Sequence, residues 1–131
     1  MMGNQYQRIH VIINPAAGQD EPILNVLNRV FHEHGVDWKV SITHQAGDGT
    51  KLAREAVQAG IDLVAAYGGD GSVLEVANGL AGSNIPLAVL PGGTANAFAS
   101  ELGIPKNLEA AARLIFNSQE RTIDLGRAGE R

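Results

Sequence analysis

The sequence predicts an α/β fold: three layers, with helices on both faces of a mainly parallel sheet of about five strands. Three observations carry that reading. Short β-branched runs alternate with helical patterns along the whole chain, and such alternation requires parallel pairing through right-handed crossovers. The strands are apolar nearly throughout, as when both faces of a sheet are covered. The length, 131 residues, lies near the usual size of a single domain and suffices for a substantial core.

The first strand is Ile9-His10-Val11-Ile12-Ile13. Asp20 and Pro22 open a helix whose residues Ile23, Leu24, Leu27, Val30 and Phe31 share one face, and Gly35 stops it. Trp38-Lys39-Val40-Ser41-Ile42 is the second strand, with Trp38 read as core or interface. Asp48 is placed to cap a helix carrying Leu52, Ala53, Ala56 and Val57 and ending at Gly60. Leu63-Val64-Ala65-Ala66-Tyr67 follows, then a helix with Val73, Ala77 and Leu80, closed by Gly82. Pro86-Leu87-Ala88-Val89-Leu90 is the fourth strand. A short helix over residues 95–101, another over 107–117 and a weaker strand over 121–125 complete the series.

Composition narrows the function. A net charge of −4 is the wrong sign for duplex nucleic acid, so no nucleic-acid partner is expected. The absence of cysteine excludes disulfides and thiol chemistry. Residues 1–7 are polar, unlike a signal peptide, and no apolar run is long enough to span a bilayer. A cytoplasmic protein is expected, with membrane contact at most peripheral. Glycine is the anomaly, at 16 residues against a usual ~7%, and without repeats these glycines belong where a side chain is unwelcome.

Three strand-to-helix loops collect them: Asn14-Pro15-Ala16-Ala17-Gly18, Gly68-Gly69-Asp70-Gly71-Ser72, and Pro91-Gly92-Gly93-Thr94-Ala95-Asn96. In a parallel sheet all three open on one edge. Glycine permits positive φ and close approach of a ligand to the main chain, and amides at a helix N-terminus attract anions, phosphate above all. A single such loop is more often only a tight turn; three on one edge favour a site. Asp70 would repel phosphate unless it holds a metal or handles a proton, which points to Mg²⁺–nucleotide chemistry; its plainer reading is a helix cap. There is no GxxxxGK[ST] loop, and Leu74 stands where a dinucleotide fingerprint has its third glycine.

These motifs together resemble the diacylglycerol kinase catalytic domain family, which takes in bacterial lipid kinases and sphingosine and ceramide kinases. The resemblance rests on Asn14-Pro15-x-x-Gly18, the run from Gly68 to Leu80 with its Glu75 and Asn78-Gly79-Leu80, and Pro91-x-Gly93-Thr94-x-Asn96. NAD kinases share the Gly68–Gly71 pattern but not the Glu75 extension or the third loop. The resemblance implies ATP bound by Asn14, Pro15, Ala16, Ala17, Gly18, Thr43, Gly68, Gly69, Asp70, Gly71, Ser72, Glu75, Gly93, Thr94 and Asn96. It implies Mg²⁺ on Asp70 and Asp124, and Asp70 as the catalytic residue. Many bacterial members carry Asp after the asparagine of the third loop, where this chain has Ala97.

The function so implied is ATP- and Mg²⁺-dependent phosphoryl transfer to a hydroxyl of diacylglycerol or a related lipid at a membrane surface. Residues 1–131 would be the ATP-binding domain, with the family's β-rich lipid-binding domain outside this chain and the isolated fragment inactive. A nucleotide-binding module without activity and an NAD kinase-like enzyme are the alternatives, and a homodimer is an expected assembly. His32 and His34 are too differently directed to share a metal, His44 reads as a surface loop residue, and Arg113 and Arg121 as surface charge.

Overall fold

The computed structural model describes residues 6–15, 22–91, 103–104 and 107–117. Its strands are β1 (Arg8–Ile13), β2 (Asp37–Ile42), β3 (Leu63–Gly68) and β4 (Leu87–Pro91). Between them run α1 (Ile23–Glu33), α2 (Asp48–Gln58) and α3 (Asp70–Leu80), and α4 (Leu108–Asn117) follows. The sheet order is β2-β1-β3-β4, with every neighbouring pair parallel. The α/β reading holds, with four strands among the described residues rather than about five. The candidate strand at 121–125 and the short helix at 95–101 lie outside the described residues.

Burial follows that order. β3 and β4 are buried along their whole length and β1 from Ile9 onward, whereas the edge strand β2 is exposed or half-buried throughout. Apolar side chains on both faces of the inner strands match a helix layer on each side. Asp62 fixes the start of the register, because its Oδ2 accepts the amides of Gln7 (3.0 Å) and Arg8 (2.9 Å).

One layer is α1 with α4. Phe31 meets Trp38 edge-on at 5.2 Å and Phe116 at 5.9 Å, so Trp38 is a half-buried part of this core. Arg113 is more than surface charge: it pairs with Glu33 (2.9 Å) and Glu109 (3.0 Å), while Arg29 reaches Glu109 at 2.7 Å, latching α1 to α4. Arg121 lies outside the described residues. His34 stacks on Phe116 at 4.1 Å and His32 is exposed, which keeps the two apart. Asn107 caps α4, its Oδ1 accepting the Ala110 amide at 2.9 Å.

The other layer is α2 against α3. A Cβ on Gly79 would stand 2.6 Å from the Ala53 Cβ and would strike the Thr50 carbonyl oxygen; only glycine lets the two helices approach this closely. His10, within a strand read from the sequence as buried, is 5% exposed and its Nε2 lies 2.8 Å from the Ser41 hydroxyl. Burial first, and Lys39 second, hold its pKa below the usual imidazole value against an opposing pull from Glu55.

The helix stops follow the glycines. After α1 and α2, Gly35 (φ +68°) and Gly60 (φ +77°) take the left-handed conformation. The amides of Val36 and Ile61 then return to the carbonyls of Phe31 (3.0 Å) and Ala56 (3.3 Å), the bonds of a Schellman motif.

Gly79→Ala should lower stability by about 1–3 kcal/mol, the usual cost of overpacking, read as a fall in the urea midpoint. The carboxyl of Glu33 is held below its usual pKa chiefly by Arg113, and that of Glu109 by Arg29 and then Arg113. Such pairing stabilises at neutral pH and is lost as pH falls through the lowered values. Arg113→Met should therefore lower Tm slightly at neutral pH, with the gap from wild type closing by about pH 3; thermal melts across that range check it.

Candidate functional site

Parallel pairing sends the loops after β1, β2 and β3 off the same edge of the sheet. The chain leaves β1 for β2 on one side and returns past β1 to β3 on the other. Ligand crevices form at such reversals, outside the carboxyl ends of the strands. A cleft of about 600 Å³ opens there, lined by Asn14 and Pro15 after β1, residues 43–46 after β2, and Gly69, Gly71, Ser72 and Glu75 at the start of α3.

The two sides of the reversal are tied together. Asn14 Nδ2 donates to Ser72 Oγ at 2.8 Å, and the Asn14 amide donates to the Tyr67 carbonyl at 3.0 Å. Thr43 is held to the end of β1 by its amide, which donates to the Ile13 carbonyl at 2.9 Å. Gly68 lies beneath the Asn14–Ser72 bond, and a Cβ there would stand 2.8 Å from the Ser72 Cβ and 3.3 Å from that of Asn14. α3 starts directly above, and its first ladder bond is Val73 N to Gly69 O at 3.1 Å. The amides of Gly71 and Ser72 therefore stand at the positive end of the helix without an intrahelical acceptor.

The loop glycines differ from expectation in one respect. Gly69 has φ −85°, and neither Gly68 nor Gly71 is in the left-handed region. Here glycine supplies space, not conformation: Gly68 admits Ser72, and a Cβ on Gly71 would meet no described residue within 4 Å beyond its chain neighbours and its own helix backbone.

Two carboxylates build the wall formed by residues 43–46. Asp48 is not the helix cap; Gly47 (φ +93°) takes that position. Asp48 Oδ2 instead accepts the amides of His44 (2.7 Å) and Gln45 (3.1 Å), and the His44 bond is the main cause of its lowered pKa. Glu75 reaches across from α3: Oε2 accepts the Gly47 amide and Oε1 the Gly49 amide, each at 3.1 Å. Below, the Thr50 hydroxyl donates to the Glu75 carbonyl at 2.7 Å.

Of the residues singled out in the sequence, Asn14, Pro15, Thr43, Gly69, Gly71, Ser72 and Glu75 line the cleft. Gly68 lies under it, and Asp70 stands half-buried beside it as the first residue of α3. Ala16, Ala17, Gly18, Gly93, Thr94, Asn96 and Asp124 lie outside the described residues. Sequence reasoning missed Gln45 and Ala46 and read His44 as loop surface; His44 is exposed, yet it too lines the cleft. Their one signal is position, between the end of a parallel strand and the next helix.

No group of three His, Asp or Glu side chains that could hold a metal occurs among the described residues. Mg²⁺ is commonly held by one or two carboxylates together with substrate phosphates. Asp70, beside the α3 N-terminus, fits that mode of binding, whereas the described residues by themselves form no metal cage.

A family model for the diacylglycerol kinase catalytic domain matches residues 8–128. The chain belongs to this family. Among relatives in it, the diacylglycerol kinase of Bacillus subtilis (strain 168) is 40% identical over 126 residues, covering 92% of this chain and 41% of its own length. A probable lipid kinase, YegS-like, of Klebsiella pneumoniae (strain 342) is 36% identical over 123 residues with the same coverages. The crystal structure of a diacylglycerol kinase from Bacillus anthracis str. Sterne superposes with a TM-score of 0.77 at 36% identity, covering 86% of this chain and 40% of that one. The chain thus spans about two fifths of the length of the family members it matches. Among the described residues, no helix is long and apolar enough to cross a membrane.

The two loop glycines should separate in their effects. Gly68→Ala displaces Ser72 and should cost about 1–3 kcal/mol. Gly71→Ala meets open space in the first turn of a helix and should leave stability unchanged or raise it by up to ~1 kcal/mol. Chemical denaturation of both variants checks the contrast.

Proposed function

We propose that this chain binds ATP and is the nucleotide-binding part of a Mg²⁺-dependent lipid kinase acting on diacylglycerol or a related lipid. The carrying observation is the cleft at the strand-order reversal, with the α3 N-terminus at one end, in a chain of the diacylglycerol kinase family. Phosphates bind at that N-terminus, where amides and helix dipole favour an anion and Gly71 leaves room for it. The N-terminus of α2 is no rival, because the Gly47 and Gly49 amides already donate to Glu75. The nucleoside therefore lies toward residues 43–46. By resemblance, Ala16, Ala17 and Gly18 of the first loop and Gly93, Thr94 and Asn96 of the third complete the contacts.

Mg²⁺ bound with the nucleotide would neutralise phosphate charge, with Asp70 as its ligand in the described residues and Asp124 assigned by resemblance. In the transfer, the lipid oxygen bonds to the γ-phosphorus as the bond to the ADP oxygen breaks. Asp70 is assigned to take the hydroxyl proton. The lipid would come from a membrane surface, and its site would belong to the family's β-rich second domain.

The test is transfer from γ-labelled ATP by the full-length gene product, with diacylglycerol, a sphingoid base and NAD offered as acceptors. Label entering a lipid supports the reading; label entering NAD alone, or no acceptor, overturns it. Asp70→Asn should reduce transfer by at least ~100-fold while leaving the unfolding midpoint in place, and near-normal turnover would remove Asp70 from the chemistry.

A further inference from the structure

We infer that Glu75 is a positioning residue: it caps α2 from a neighbouring helix and so sets the wall against which the nucleoside lies. This deepens the nucleotide reading above and rests on it. The carboxylate accepts two main-chain amides, Gly47 on Oε2 and Gly49 on Oε1. These are the N-cap and the second residue of α2, amides that a helix leaves unsatisfied. Gly47 and Asp48 offer no side-chain cap bond of their own, so the cap comes from α3.

The fit is close. A Cβ on Gly49 would stand 3.0 Å from both the Cβ and Oε1 of Glu75, and the Thr50 hydroxyl fixes the Glu75 carbonyl one step along α2. The second half of the wall is secured by Asp48, which takes the amides of His44 and Gln45. Residues 44–49 are thus pinned by two carboxylates, and Glu75 bonds them to the helix that begins at the phosphate end. Loss of Glu75 should loosen the wall and leave the α3 N-terminus in place.

The experiment compares wild type with Glu75→Gln, whose amide can accept one of the two N–H groups but must face the other with a donor. Amide exchange at Gly47 and Gly49 should quicken by about 10-fold, and ATP affinity should fall by a similar ~10-fold, the size expected from losing one charge-assisted hydrogen bond. Inorganic tripolyphosphate, which has no nucleoside, should bind both proteins alike. Unchanged exchange overturns the cap. Weakened ATP binding with Gly47 and Gly49 still protected overturns it in favour of direct contact with the nucleotide. Equal loss of ATP and tripolyphosphate overturns the assignment to the nucleoside wall. A wild type that binds no ATP overturns the nucleotide reading itself, and this role with it, whereas ATP bound equally by both proteins overturns this role alone.

Discussion

β1 pairs in parallel with β2 on one edge and with β3 on the other, and the position of every other element follows from that double pairing. Right-handed crossovers must leave β1 for β2 over one face and return from β2 to β3 over the opposite face. α1 is thereby separated from α2 and α3, and Phe31, Trp38 and Phe116 collect in one layer while Gly79 and Ala53 meet in the other. The same reversal parts the loops after β1 and β3 at their exit from the sheet. Asn14 and Ser72 bond across the gap at 2.8 Å, so the floor of the cleft is joined where the topology would otherwise leave it open.

The cleft belongs to a chain of net charge −4, and the acids around it have to be accounted for. Asp48 and Glu75 stand at its rim, yet each carboxylate accepts two backbone amides. Their charge also lies at the N-terminal end of α2, where the helix dipole favours it. Bound in this way they brace one wall and take up amides that an anion at the start of α2 would otherwise need. Asp70 differs in place, standing at the first position of α3 beside the Gly71 and Ser72 amides. The three neighbouring acids thus differ in place: two accept amides of residues 44–49, and the third opens α3.

The strands and most helix ends were legible in the sequence because each had a local cause: a mostly β-branched run for β1, an apolar run for β3, and Gly35 and Gly60 for the ends of α1 and α2. The loops of the site were legible because paired glycines after strands are rare without a reason. What escaped depended on partners distant in sequence. Nothing near Asp48 shows that Gly47 takes the cap position, because the compensating acceptor is Glu75, in a different helix. His10 looked like one more strand residue, and only the register that sets β1 beside β2 brings the Ser41 hydroxyl to it. Gln45 and Ala46 carry no chemistry in their letters and line the cleft by topology alone.

The Glu75 and Gly79 positions acquire a single physical reason once α3 is read as a rigid spacer. Gly71, Glu75 and Gly79 are spaced at four-residue intervals, so they follow one face of the helix, about 6 Å apart along its axis. The first leaves open space at the N-terminus, the second caps α2, and the third lets α3 lie close against Thr50 and Ala53. The contact at Gly79 fixes the depth of α3 on α2, and the Glu75 bonds fix its position along the start of that helix. With both set, the distance from the α3 N-terminus to the wall at residues 43–46 is no longer adjustable. A cleft whose two ends belong to different crossovers keeps a constant span because one face of one helix holds both.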